Sequence, residues 1–208
     1  MNKSINIESL SVGYNNKAVL ENINILCHKN KMIGVFGRNG QGKSTLLKTI
    51  SGLLPPISGN FNFDGTDVLG VSEKERAKLL SIVSTTKTDI GAIKVKDFIA
   101  FGRFPYTNWL GINKDKDYQE IDKAIELCQL QSFVNRNYEE LSDGEKQRVN
   151  IARAVAQDTP VWLLDEPTSH LDFIGIREII NLLQNLAKSY RKTIIIATHQ
   201  VDLSLKNC

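Results

Sequence analysis

The chain predicts an α/β fold with a mostly parallel sheet, and three observations carry that reading. Met32-Ile33-Gly34-Val35-Phe36, Val161-Trp162-Leu163-Leu164 and Thr193-Ile194-Ile195-Ile196-Ala197 are short apolar runs of the kind that buried parallel strands show. The first runs straight into Gly37-Arg38-Asn39-Gly40-Gln41-Gly42-Lys43-Ser44, which fits the phosphate-loop pattern G-x-x-x-x-G-K-[ST]. Helical spacing follows at once in Thr45-Leu46-Leu47-Lys48-Thr49-Ile50, with Leu46, Leu47 and Ile50 on one face. In a strand–loop–helix setting the glycines let backbone N–H groups converge on an anion, and the helix start adds partial positive charge. Lys43 is then expected to reach β- and γ-phosphates, and the Ser44 hydroxyl to ligate Mg²⁺.

Taken in order, Ile5 and Ile7, then Ile23 and Ile25, alternate with polar neighbours and predict antiparallel strands at the N-terminus. Tyr14 lies between them, either stacking on an adenine or packing as a strand aromatic. Ser51 to Pro56 ends the first helix, and Phe61-Asn62-Phe63 alternates into Asp64-Gly65, a hairpin turn signal. Residues 72–80 read as helix and Leu80-Ser81-Ile82-Val83 as strand. From about Lys87 to Asp158 helical periodicity dominates, clearest in the stripe Ile121, Ala124, Ile125 and Cys128. A helical insertion in a strand-rich core accounts for it. The aromatic stretch from Phe101 to Gly111 fits either subdomain packing or a partner-facing patch.

Ser142 to Glu145 has the S-x-x-E form of a capping box, and a capped helix start is also an anion site. Asp165-Glu166 ends an apolar strand, where open α/β sheets bind ligands. Asp165 is expected to hold Mg²⁺ and Glu166 to polarise an attacking water. Ile176, Ile179, Ile180, Leu183 and Ala187 mark an amphipathic helix, and His199 ends the next strand, either as a structural histidine or as one that reaches the same γ-phosphate.

Composition narrows the classes. A chain of 208 residues with 41% hydrophobic and 24% charged residues suits one globular domain. A formal net charge of +3 without a basic run gives no sign of nucleic acid. Cys27, Cys128 and Cys208 lack disulfide or metal spacing and suit a reducing cytosol. No apolar run approaches the ~18 residues a membrane span needs, so a membrane role would act through a partner.

With these motifs in order, the whole chain resembles the ATP-binding cassette of ABC transporters. Leu141-Ser142-Asp143-Gly144-Glu145, a variant of that family's signature, is its most discriminating motif. The resemblance implies a single domain over 1–208 with a RecA-like P-loop NTPase core. Residues 1–86 would form an antiparallel β subdomain plus the phosphate-loop part of the core. Residues 87–158 would form the helical subdomain with the signature, and 159–208 the rest of the core. It implies that Tyr14 stacks on adenine, that Gly37 to Thr45, with Asn39, Gly40 and Gly42, wrap the phosphates, and that Glu166 is general base. Asp172 belongs to a D-loop match and His199 to the switch histidine. Two cassettes would pair head to tail, with Ser142 and Gly144 acting in trans on the partner's ATP. Ile99 to Tyr106 and Trp109-Leu110-Gly111 resemble the importers of iron-siderophores, haem and cobalamin. That implies a permease, reached through the helical insertion, an indirectly coupled substrate-binding protein, and a cytoplasmic place on the inner membrane face.

The chain departs from the family pattern in three ways. Thr85 stands where the family has a glutamine and is expected to keep a shortened role near Mg²⁺. Asp143 and Glu145 replace a glycine and a glutamine of the signature, adding negative charge near a phosphate site. The chain stops at Cys208 in what reads as a helix begun near Val201, so a truncated C-terminus is expected. Other readings are a repair or translation ABC ATPase, a small-molecule P-loop kinase, and a non-hydrolytic ATP sensor. Repair members would show sustained heptads, translation members two cassettes, and a kinase would leave Leu141 to Glu145 without a role.

Overall fold

The computed structural model describes residues 4–84, 91–107 and 111–199. Two four-stranded sheets organise them. The antiparallel sheet comprises β1 (Ser4–Tyr14), β2 (Lys17–His28), β4 (Ser58–Phe63) and β5 (Thr66–Asp67), in the order β2-β1-β4-β5. The parallel sheet comprises β3 (Met32–Phe36), β6 (Leu80–Ser84), β7 (Val161–Asp165) and β8 (Thr193–Thr198), in the order β3-β8-β7-β6. Adjacency of β3 and β8, distant in sequence, is what brings the phosphate loop beside His199.

Side-chain alternation explains how one parallel sheet serves two cores. Leu163, Ile195 and Ala197 join Ile5, Leu10, Phe61 and the helix α1 (Lys43–Ile50) in a cluster between the sheets. The intervening Trp162, Leu164, Ile194 and Ile196 point the other way, into a cluster with the helical elements. Those elements are α3 (Val95–Ala100), a 3₁₀ segment (Phe101–Tyr106), α4 (Asp115–Leu127) and α5 (Asp143–Gln157). The α6 helix (Phe173–Tyr190) covers the same face through Ile179, Leu183, Leu186 and Ala187. The central strands β7 and β8 are buried on both faces, which is why their sequences read as uninterrupted apolar runs, whereas β3 at the sheet edge is only partly buried and Phe36 is exposed.

The local expectations match. Leu46, Leu47 and Ile50 are all buried. Asp64-Gly65 joins β4 to β5 with Phe63 opposite Thr66. Helix α2 (Glu73–Leu79) starts from a Ser72–Glu75 capping box. The stripe Ile121, Ala124, Ile125 and Cys128 is buried against α5 and α3, and burial pushes the Cys128 thiol up to about 12, leaving it inert. Thr85, Trp109, Leu110, Val201 and Cys208 lie outside the described residues.

The aromatic stretch divides its roles within four residues. Gly102 lies so close to α5 that a Cβ there would come 2.3 Å from the Arg153 carbonyl oxygen. Arg103 is buried, pairing through Nε and Nη2 with Asp117 Oδ1 at 2.9 Å and donating to the Ala156 carbonyl at 2.7 Å. The Tyr106 ring lies 3.9 Å from that guanidinium. Phe101 and Phe104 instead face outward, 37% and 57% exposed.

Candidate active site

The C-terminal ends of β3, β7 and β8 converge on one polar cluster. Gly42 adopts the left-handed region at φ 87° and caps α1; a Cβ there would meet Val19 Cγ1 at 2.8 Å and Leu20 Cγ at 2.9 Å. Glycine at this position therefore answers both backbone and space. Lys43, buried despite its charge, folds back to donate to the carbonyls of Gly37 at 2.8 Å and Arg38 at 3.1 Å. Its Nζ also lies 3.4 Å from Glu166 Oε1.

The two acids leave β7 in different directions. Asp165, the last strand residue, accepts a 2.9 Å hydrogen bond from the Ser44 hydroxyl. Glu166 turns out of the strand at φ 49°, an uncommon conformation for a side-chain-bearing residue, while its N–H stays bonded to the Ala197 carbonyl at 2.8 Å. That turn points its carboxylate at Lys43 and at His199, whose Nδ1 is 2.9 Å from Glu166 Oε2. Glu166 Oε1 is buried with no hydrogen-bond partner among the described residues, only the ion pair to Lys43. A buried carboxylate oxygen held by an ion pair alone beside a phosphate loop fits a general base for water.

Other expected residues are placed apart. Two shallow hollows flank the loop, one bordered by Val19, Leu20, Val35 and Gln41 and the other by Phe36, Arg38, Asn39 and His199. Tyr14, half exposed at the end of the first hairpin, borders neither. Asp172 caps α6, accepting from the Gly175 N–H at 2.8 Å. Ser142 caps α5: it accepts from Glu145 N–H at 3.3 Å, while Glu145 Oε2 accepts from Ser142 N–H at 2.7 Å and Oγ–H at 2.8 Å. Those two bonds hold the Glu145 carboxyl below its ordinary range, and Arg136 sits 3.8 Å away. Gly144 lies against Leu171, ahead of Asp172. No described contact joins Ser142 or Gly144 to the phosphate loop of the same chain.

Sequence reasoning passed over Val19 and Gln41, because their place at the loop depends on β2 passing under Gly42 and on a side chain folding back.

The donor set suits Mg²⁺. Among the described residues no three His, Cys, Asp or Glu side chains cluster as a protein-only cage. A hydroxyl and a carboxylate 2.9 Å apart provide the one or two hard oxygen ligands that Mg²⁺ takes alongside phosphate and water.

The sequence profile described as ABC transporter matches residues 20–169. The chain is 36% identical over 203 residues to the achromobactin transport ATP-binding protein CbrD of Dickeya dadantii, covering 98% of this chain and 76% of that one. It is 36% identical over 199 residues to the iron(3+)-hydroxamate import ATP-binding protein FhuC of Bacillus subtilis, covering 96% and 74%. Among solved structures it is similar to cbiO1 of Clostridium perfringens, part of the ABC transporter complex cbiONQ, with a TM-score of 0.87 and 29% identity over 100% of this chain and 83% of that one. The profile match across the phosphate loop, the signature and the paired acids makes this chain a member of the ABC transporter family of ATP-binding, ATP-hydrolysing cassettes.

Proposed function

We propose that the chain powers import of an iron chelate, haem or cobalamin through a separate permease, and that the residues gathered at the phosphate loop carry the hydrolysis. The convergence of Lys43 and His199 on the Glu166 carboxylate is the observation that carries this reading. The siderophore-importing relatives and the Ile99 to Tyr106 segment support the substrate class.

Hydrolysis is an in-line attack of water on the γ-phosphorus. Glu166 Oε1 accepts the water proton as the new P–O bond forms, and the bond to the β-phosphate oxygen breaks to release ADP. His199, hydrogen-bonded to Oε2, orients the carboxylate and contacts the γ-phosphate. Lys43 keeps its bonds to the loop carbonyls and turns its remaining N–H from Glu166 to the β- and γ-oxygens, offsetting their growing charge. Ser44 and Asp165 would hold Mg²⁺, which would supply positive charge against that of the phosphates. Tyr14 is assigned to the adenine, and Gly37 to Thr45 to the phosphates.

Ser142 and Gly144 would act on a second copy's ATP in a head-to-tail pair, with Asp172 at the seam. The permease would seat in the groove between core and helical elements, bordered by Leu53, Arg76, Phe101 and Arg153. Among the described residues no helix is long and apolar enough to cross a membrane, so the cassette would sit at the cytoplasmic face through that contact, coupled indirectly to a substrate-binding protein.

Replacing Glu166 by Gln removes the base and leaves the binding groups in place. Size-exclusion mass should then shift from monomer to dimer only when Mg-ATP is added. Absence of nucleotide binding by wild type would sink the central assignment; binding without dimerisation would sink the trans role of Ser142.

A further inference from the structure

Gln41 occupies the variable position between Gly40 and Gly42, and its side chain folds back along the loop. Its Oε1 accepts a hydrogen bond from the Arg38 N–H at 2.7 Å. The Gln41 N–H in turn lies 3.4 Å from the Arg38 carbonyl, so the Arg38–Gln41 turn is closed by backbone and side chain together. The carboxamide rests on Gly37, where a Cβ would come 2.6 Å from Oε1. Arg38 is thus held at both ends: its N–H by Gln41 and its carbonyl, with that of Gly37, by Lys43 Nζ.

We propose that Gln41 is a positioning residue of the phosphate loop, clipping Arg38 so that the carbonyls seating Lys43 are in place before nucleotide arrives. The inference rests on reading Gly37 to Thr45 as the phosphate loop. A loop with three glycines in eight residues has much conformational freedom to lose on binding, and ordering it beforehand lowers that cost. The opposite role, a carboxamide that blocks the loop and must be expelled, predicts tighter nucleotide binding when the side chain is removed. The clip is the better account because the bond goes to Arg38, the residue whose carbonyl also seats Lys43. A blocking group would be bonded to the lysine instead.

The test uses the whole chain with Gln41→Ala, Gln41→Met and Gln41→Glu. Met keeps the length and lacks the acceptor; Glu keeps the acceptor. Three quantities are measured: hydrogen exchange of the Arg38 amide without nucleotide, Mg-ADP affinity, and the nucleotide-free melting midpoint. Ala and Met should speed Arg38 exchange and weaken Mg-ADP binding roughly three- to tenfold, the scale of one hydrogen bond. Their midpoints should stay within about 2 °C of wild type, and Glu should restore Arg38 protection. Unchanged or tighter Mg-ADP binding in Ala and Met, with wild type binding normally, overturns the clip alone. So does a lowered midpoint at constant affinity, which would mark a purely structural bond. Failure of wild type to bind Mg-ADP overturns the phosphate-loop reading and the clip with it.

Discussion

Glu166 and Gly42 both take left-handed backbone, for opposite reasons. Glu166 bears a side chain there because the turn is what points its carboxylate away from the strand and onto Lys43 and His199. Gly42 is there because nothing larger fits under Val19 and Leu20. Gly42→Ala should therefore destabilise the fold by about 1–2 kcal/mol and weaken Mg-ADP binding, read by thermal melting and titration. Retained affinity would show that the loop relaxes around the methyl. Lys43, Ser44, Asp165, Glu166 and His199 were legible in the sequence, since phosphate and metal chemistry permits few residue types at those spacings. Gln41 was not, because a carboxamide that folds back leaves no periodicity or spacing to read.

In the 3₁₀ segment, Arg103 is the anchor. Its partner Asp117 accepts from Lys114 N–H at 2.8 Å through the other carboxylate oxygen, so the pair ties the segment to the start of α4. Burial alone would raise the Asp117 carboxyl; the Lys114 amide and Arg103 outweigh it and hold it below the ordinary 3.8. Being lowered on folding, it contributes stability that is full above pH ~4 and lost as pH falls through the folded value. Asp117→Ala leaves Arg103 buried without a counter-charge and should cost about 3–5 kcal/mol at neutral pH. Acid melts should show the variant missing the part of the stability loss below pH 4 that wild type suffers. Equal wild-type and variant midpoints at pH 7 would refute the anchoring role.

For the whole molecule, that anchor presents Phe101 and Phe104 outward beside the groove between core and helical elements. Phe104→Asp should leave the fold and Mg-ADP affinity intact yet abolish co-purification with the permease. Undiminished association would remove this face from the docking surface. The charge of Glu145 belongs to the same scale. Glu145 remains a carboxylate at neutral pH, neutralised only in part by Arg136, so each copy brings negative charge to the seam of the proposed pair. Glu145→Gln should lower the Mg-ATP concentration needed for dimerisation of the Glu166→Gln protein a few-fold, on the scale of one exposed charge; an unchanged requirement would show that the capping bonds absorb its effect.

The sequence by itself determined the element types, the two-sided burial of β7 and β8, and the candidates for the phosphate chemistry. Periodicity and motif spacing are local quantities, set by side-chain alternation and by the geometry of one loop. Only the tertiary structure decided that β8 lies between β3 and β7, so that His199 and Lys43 meet on Glu166. It also decided that Ser142 and Gly144 pack against Glu145 and Leu171 of their own chain, and that one aromatic stretch both packs and faces outward. Those outcomes depend on which apolar faces find each other across more than a hundred residues of chain, and no local pattern records that choice.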